Sequence, residues 1–167
     1  MTIYLSCGKQ DGLEGIATDE LVKDLGASEC NSFQFGVGLG VSITKGGIEK
    51  SSPSLSEIVL TKGFDSMSPA LFINCCLGKT IAKVQVDFTG SSGDAAKGSV
   101  VYLTYALVNA VITGHSVSSG GDKPSESISL TYESIVMTYK TPPKTAKNQD
   151  GNPVVQGWSV VDNKKTG

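Results

Sequence analysis

The chain contains no arginine. All 14 of its basic side chains are lysines, set against 16 Asp and Glu for a net charge of −2. Arginine is the planar donor fork that reads guanine and clamps phosphate, so no nucleic-acid partner is expected. Histidine is as scarce, because His115 stands alone. A nucleophilic triad or a His-based metal site would rest on that single residue. It follows Gly114 at a strand end, where a solvated turn residue is the expectation. No apolar run reaches the roughly 18 residues of a membrane-spanning helix, so no membrane span is expected. The opening MTIYLSCGKQDG lacks a charged n-region and a long apolar h-region, so no cleaved signal peptide is expected. The implied route is synthesis in the cytoplasm, with any exit by a path that needs no signal sequence.

Catalytic and cofactor motifs are missing in the same way. The four cysteines, Cys7, Cys30, Cys75 and Cys76, include no C-x-x-C pair, the usual spacing of a zinc site. Adjacent Cys75 and Cys76 diverge by about 100° on a helix and cannot close a relaxed bridge. Small buried apolar side chains in a reducing compartment are the expectation for all four. Gly78-Lys79-Thr80 invites comparison with a phosphate-binding loop, but Ile73 stands where that motif needs glycine, and the GKT follows a helix instead of opening one. Gly36, Gly38 and Gly40 lie inside a strand pattern and lack the G-x-G-x-x-G spacing. Glu126 and Glu133 are an odd number of residues apart and face opposite sides of a regular strand. No catalytic, cofactor-binding or metal-ligating residue is assigned.

What is present is strand pattern around one short helix. From Val59 to Phe88 the chain reads VLTKGFDSMSPALFINCCLGKTIAKVQVDF. Ser68-Pro69 is a helix start, with a hydroxyl at the N-cap and proline at the first helical position. Leu71, Phe72, Cys75 and Cys76 form an apolar stripe, and Gly78 supplies the left-handed stop. Ala82, Val84, Val86 and Phe88 then alternate with Lys83, Gln85 and Asp87, as in a strand with one buried face. Upstream, Phe33, Phe35, Val37, Leu39 and Val41 alternate with Gln34 and three glycines, which predicts one strand over residues 32–41. Residues 42–53 form a polar excursion with turn chemistry at Gly46-Gly47, long for a simple hairpin loop and so a candidate for function.

Residues 99–113 are apolar on both alternating sets, and a strand of that kind is buried on both faces. A barrel core covers only one, so the helix or a neighbouring subunit must cover the other. Residues 126–140 read as another long strand whose apolar phase shifts near Glu133-Ser134, the mark of a bulge or a two-sided strand. The fold class is mainly β: a closed or nearly closed antiparallel β-barrel of two packed sheets, with one short flanking α-helix near residues 69–77. One domain spans residues 1–167, with 141–157 and 162–167 expected as loop or flexible tail and a last strand near residues 158–161.

Several pieces in this order resemble a known family. LTKGFDSMSPALFINCCLGKTIAKVQVDF resembles a pattern of strand ending in T-K, an aspartate, S-P-x-L-F, a short helix, G-K and an alternating strand. SESISLTYESIVMTYK resembles the strand E-x-[IV]-S-L-x-Y-x-x-I-x-x-x-Y. Trp158-Ser159-Val160 resembles the closing strand, and Asp11-Gly12 with Thr18-Asp19 weakly resembles a D-G-E-S-x-D opening. Together they resemble Hcp, the haemolysin-coregulated tube protein family of bacterial type VI secretion systems. The resemblance implies a non-enzymatic structural protein and a homo-hexameric ring with a central channel. It further implies rings stacked into a tube inside a contractile sheath, a VgrG-like spike protein at the tip, effector proteins in the lumen, and secretion to the exterior or into target cells. A phage tail-tube-like protein shares the barrel-and-ring logic, and a ligand-binding barrel is the remaining reading.

Two groups of residues are candidates for assembly. Ser42, Ile43, Thr44, Lys45, Gly46, Gly47, Ile48, Glu49 and Lys50 are the expected ring-stacking loop, by their length, glycine hinge and lysines. Val101, Leu103, Ile135 and Met137 are the expected ring interface, although periodicity alone does not separate core from interface.

Overall fold

The computed structural model of the chain describes residues 1–91, 98–140 and 152–166. The order of elements is β1 (Thr2–Ser6), a 3₁₀ turn (Lys23–Leu25), β2 (Ser28–Gln34), β3 (Val37–Thr44), β4 (Gly47–Leu55) and β5 (Ile58–Gly63). Helix α1 (Ser68–Leu77) follows, then β6 (Thr80–Ser91), β7 (Ser99–Ser118), β8 (Ser125–Thr131), β9 (Ser134–Tyr139), β10 (Val154–Ser159) and β11 (Lys164–Thr166). Strands β7, β6, β1, β2, β5 and β8 run antiparallel in that order, and the pairing of β8 with β7 closes them into the expected barrel. Strands β9, β10 and β11 extend outward from β7, while β3 and β4 form a separate two-stranded sheet.

The long strand β7 serves both parts. Its second half, from Val111 to Ser118, pairs with β8, and its first half, from Leu103 to Val108, pairs with β9. The handover falls at Asn109, whose φ of +50° is in the left-handed region, a conformation Asn tolerates better than most residues. Its Nδ2 donates to Glu133 Oε2 at 2.6 Å, and the Glu133 N–H donates to the Val108 carbonyl. The phase shift near Glu133 therefore marks a change of partner on the other edge, from β5 for β8 to β10 for β9, while both stay in one register on β7. Residues 126–140 are two strands with a break at Tyr132-Glu133, where one long strand was expected.

Inside the barrel, Leu5, Ile58, Leu60, Val84, Val86, Leu107, Ile128 and Leu130 form a continuous apolar core. An aromatic group joins it: Phe33 lies 5.2 Å from Phe88 and 4.8 Å from Tyr105, centroid to centroid. The outside of the wall is partly covered as well. Helix α1 packs on β7, but its buried Leu71 joins the interior core with Leu5 and Val84. Tyr4 packs with Val22 and Ala27 from the segment before β2. Asp87 sits opposite Tyr4 and is buried, although the alternation placed it toward solvent. It accepts from Thr104 Oγ1 at 2.6 Å and Gln85 Nε2 at 2.8 Å, as a buried carboxylate requires.

The helix differs from expectation in cap and face. Ser68 is its first residue, and Met67 is the N-cap position. The orphan N–H of Met67 is met by the Asp65 carboxylate at 2.9 Å. Gly78, with φ of +59°, ends the helix as expected. The buried face carries Ser68, Leu71 and Asn74, so Phe72 and Cys76 of the expected stripe are exposed.

The chain also departs from the expected single strand over residues 32–41: β2 ends at Gln34, and β3 starts a different sheet at Val37. The C-terminal part is more ordered in pattern than a loop and tail. Val154–Ser159 pairs with β9, beginning ahead of the expected last strand, and Lys164–Thr166 pairs back on it. Residues 141–151 of the expected loop, and Gly167, lie outside the described residues.

The pairing of β10 with β11 depends on Gly157. A Cβ there would stand 2.6 Å from the Thr166 carbonyl oxygen and 3.0 Å from Val136 Cγ2. Gly157→Ala is expected to lose about 1–3 kcal/mol, the usual range for overpacking, and to raise amide hydrogen exchange over residues 157–166. Unchanged exchange there would contradict the close approach.

Candidate assembly surface

The expected ring-stacking loop is the far half of an exposed β-hairpin. Ser42, Ile43 and Thr44 end β3, Lys45 and Gly46 make the turn, and Gly47, Ile48, Glu49 and Lys50 begin β4. The turn is tight: Thr44 pairs directly with Gly47, whose φ of +125° suits glycine alone. The hairpin has one apolar face. Val37, Leu39, Val41 and Ile43 alternate along β3, and their partners on β4 are Leu55, Pro53, Lys50 and Ile48. A register shift between Leu39 and Val41 keeps Ile48 on that face, since a regular ladder would set Glu49 opposite Ile43. Ser51 Oγ accepts from the Gly40 N–H at 3.0 Å and stabilises the bulge. Among the described residues nothing covers this face: Ile43 is 83% exposed and Ile48 64%. Contiguous exposed apolar surface of this kind marks an interaction site.

At the base of the hairpin its apolar face runs into a cleft of about 270 Å³. Phe35, Val37 and Leu55 line one side, and Tyr105, Met137 and Trp158 line the other. Gln156 is the single side chain in the lining that carries an amide, and none carries a charge. One polar contact bridges the two sides beyond the cleft. Asn163, at φ of +51° in the β10–β11 turn, donates from Nδ2 to Ser52 Oγ on β4 at 2.8 Å.

The four expected ring-interface residues separate. Val101 and Leu103 are half-buried on β7. Ile135 is 5% exposed and belongs to the barrel core cluster, whereas Met137, two residues on along β9, is 42% exposed. The structure brings Ile135 and Met137 together at the cleft and leaves Val101 and Leu103 outside its lining.

Apart from this surface, and missed as a unit by the sequence reading, is a buried ionic cluster. Lys62 on β5 is fully buried and donates to Glu126 Oε1 on β8 at 2.5 Å, to Asp65 Oδ1 at 2.8 Å and to the Gly63 carbonyl at 3.0 Å. Ser68 Oγ donates to Glu126 Oε1 at 2.7 Å, and it accepts from the Asp65 N–H at 2.9 Å. His115 Nε2 lies 2.7 Å from Glu126 Oε2. His115 is thus a buried strand residue of β7, at 6% side-chain exposure, and not the solvated turn residue expected. The cluster ties β5, β7, β8 and the start of α1 together. Burial pushes the Glu126 carboxyl up, but hydrogen bonds from Lys62, His115 and Ser68, with the Lys62 charge, outweigh it and hold the group below the usual carboxylate value. The available signal was the recurrence of Thr61-Lys62, Asp65, Ser68 and Glu126 in the segments that carry the family resemblance.

The cysteines divide in the same way as the helix. Cys7 and Cys30 are buried free thiols whose pKa values burial pushes up to about 12, while Cys75 is half-buried and Cys76 exposed.

Two measurements check the cluster. Lys62→Met leaves the Glu126 and Asp65 carboxylates buried without their cation, and is expected to cost about 3–5 kcal/mol in urea unfolding. A loss below about 1 kcal/mol would show the cluster to be solvated. Because Glu126 is held below its unfolded value, its contribution is present above about pH 4.3 and is lost as pH falls through the folded value. Thermal melts of Glu126→Gln should therefore fall less steeply between pH 5 and 3 than those of the unsubstituted chain; parallel acid limbs would remove Glu126 as a source of acid sensitivity.

The comparisons agree with this architecture. A profile of the family described as "Type VI secretion system effector, Hcp" matches residues 7–139. The protein Hcp1 of Pseudomonas aeruginosa is 27% identical over 111 residues, covering 66% of this chain and 67% of its own. A solved structure described as a type six secretion system protein superposes with a TM-score of 0.82 at 23% identity, covering 99% of each chain. The crystal structure of Hcp1 from Salmonella typhimurium gives a TM-score of 0.76 at 20% identity over 99% of this chain and 98% of that one. With the family pattern matched across the barrel from Cys7 to Tyr139, the chain belongs to the Hcp family of type VI secretion tube proteins.

Proposed function

We propose that six copies of this chain close into a ring, that rings stack into a tube, and that the β3–β4 hairpin makes the contact between one ring and the next. The observation that carries the reading is the hairpin itself: two strands of eight and nine residues that stand apart from the barrel sheet and present an uncovered apolar face. A closed barrel has no further use for such a face in the monomer, and burying it against another copy recovers the transfer free energy of its aliphatic side chains. Family membership supports the ring, the sheath around the tube, a spike protein at its tip, effector proteins in its lumen, and delivery to the exterior or into a target cell. In this reading the barrel supplies a rigid wall and the hairpin a projecting connector. Met137, Val101 and Leu103 are the proposed ring contacts, with Ile135 acting from beneath as core.

Native mass spectrometry and negative-stain imaging test the reading. Six-fold rings are expected, with tubes at high protein concentration. Replacing residues 42–50 by a short turn should leave rings intact and abolish tubes. Tubes formed unchanged by the shortened chain would exclude the hairpin as the stacking element.

A further inference from the structure

The hairpin tip and the cleft at its base are a knob and a hole that cannot meet on one molecule. Ile43 and Ile48 pair at the tip, and both are more than half exposed. The cleft begins at Val37 and Leu55, at the far end of the same two strands. At about 3.3 Å per residue the tip lies roughly 20 Å from it, and a paired hairpin cannot fold back on its own base. The cleft has no charge in its lining, which leaves an anion or a cation without a partner charge, and its predominantly apolar walls suit an aliphatic occupant. Along β3 the apolar face runs from tip to cleft through Val41 and Leu39, with Lys50 beside Val41 on β4.

We propose that the cleft receives the hairpin tip of a second copy of this chain, with Ile43 and Ile48 inserted between Leu55 and Val37 on one side and Met137 and Trp158 on the other. The inference rests on the reading that the hairpin docks on another copy, and adds the surface that receives it. Knob and hole are different patches of the same molecule, so the contact is heterologous and self-propagating: every copy offers both, and rotation alone decides whether the series closes or continues. The Asn163–Ser52 hydrogen bond gains a role here, since it holds the C-terminal turn against the hairpin and so fixes the two sides of the hole.

The test is photo-crosslinking in the assembled full-length protein. Ile43→p-benzoylphenylalanine is mixed with an equal amount of ¹⁵N-labelled protein and illuminated, and the crosslinked peptides are mapped by mass spectrometry. Crosslinks joining position 43 of one copy to the strands carrying Val37, Met137 or Trp158 of another are expected. Val37→Glu places a charge at the exposed rim of the hole and should remove those crosslinks at least tenfold while leaving the circular dichroism spectrum and the mass of the ring unchanged. Crosslinks to any other surface overturn the proposal, as does absence of intermolecular crosslinks from position 43 and from the same replacement at Ile48. If shortening the hairpin abolishes tubes while the crosslinks map elsewhere, the stacking hairpin stands and the cleft does not. If the shortened chain still forms tubes, both fail.

Discussion

The pairing of β8 with the second half of β7 is the constraint on which the remaining structure depends. It turns a row of six antiparallel strands into a closed wall and removes the free edges that would otherwise template uncontrolled strand pairing. Because β8 occupies only half of β7, the other half is left to β9, and the C-terminal strands extend from there. One residue in an unusual backbone conformation, Asn109, stands at the division. At the break, β8 turns its free edge to β5 and β9 turns its own to β10, so the lateral sheet forms the far side of the cleft.

The buried ionic cluster reinforces the same seam from inside. Taking Lys62, Asp65 and Glu126 out of water is costly, and the arrangement is tolerable because each charged atom meets a partner. The cluster spans the strands on both sides of the closure and the first residue of the helix. An apolar substitute could fill the volume but would not demand one register of β5 against β8 and one docking angle of α1. Specificity of assembly is a use of buried charge attested elsewhere, and a subunit that must repeat one geometry through a ring and a stack has particular need of a unique wall.

Against that wall the hairpin is the part that carries an exposed apolar face. Among the described residues its strands are paired only with each other, and apart from Leu55, which packs against the core, its apolar side chains stand exposed toward the tip. The division of labour follows from burial: the barrel spends its apolar residues inside, whereas β3 and β4 keep theirs outside on a register held by a single bulge.

Much of this was legible from the sequence. Alternation in residues 82–88 and the two-sided apolar run over 99–113 set strands, Gly78 set the helix end, and the polar stretch over residues 42–53 pointed to an element outside the core. These features are local, and local sterics and periodicity determine them. The tertiary structure alone decided which face of each pattern met water. Phe33 and Val37 belong to one alternating series, yet Phe33 packs against the core and Val37 is exposed, because the chain leaves the barrel between them. Ile135 and Met137 are likewise two apolar positions on one strand, separated into core and surface by neighbours that lie far away in sequence. His115, Lys62 and Glu126 read singly as a turn residue, a strand terminus and an isolated acid. Their contact exists only once β5, β7 and β8 lie side by side, since a bond such as Lys62–Glu126, 64 positions apart, or His115–Glu126 across a strand pair, leaves no periodic trace in the chain.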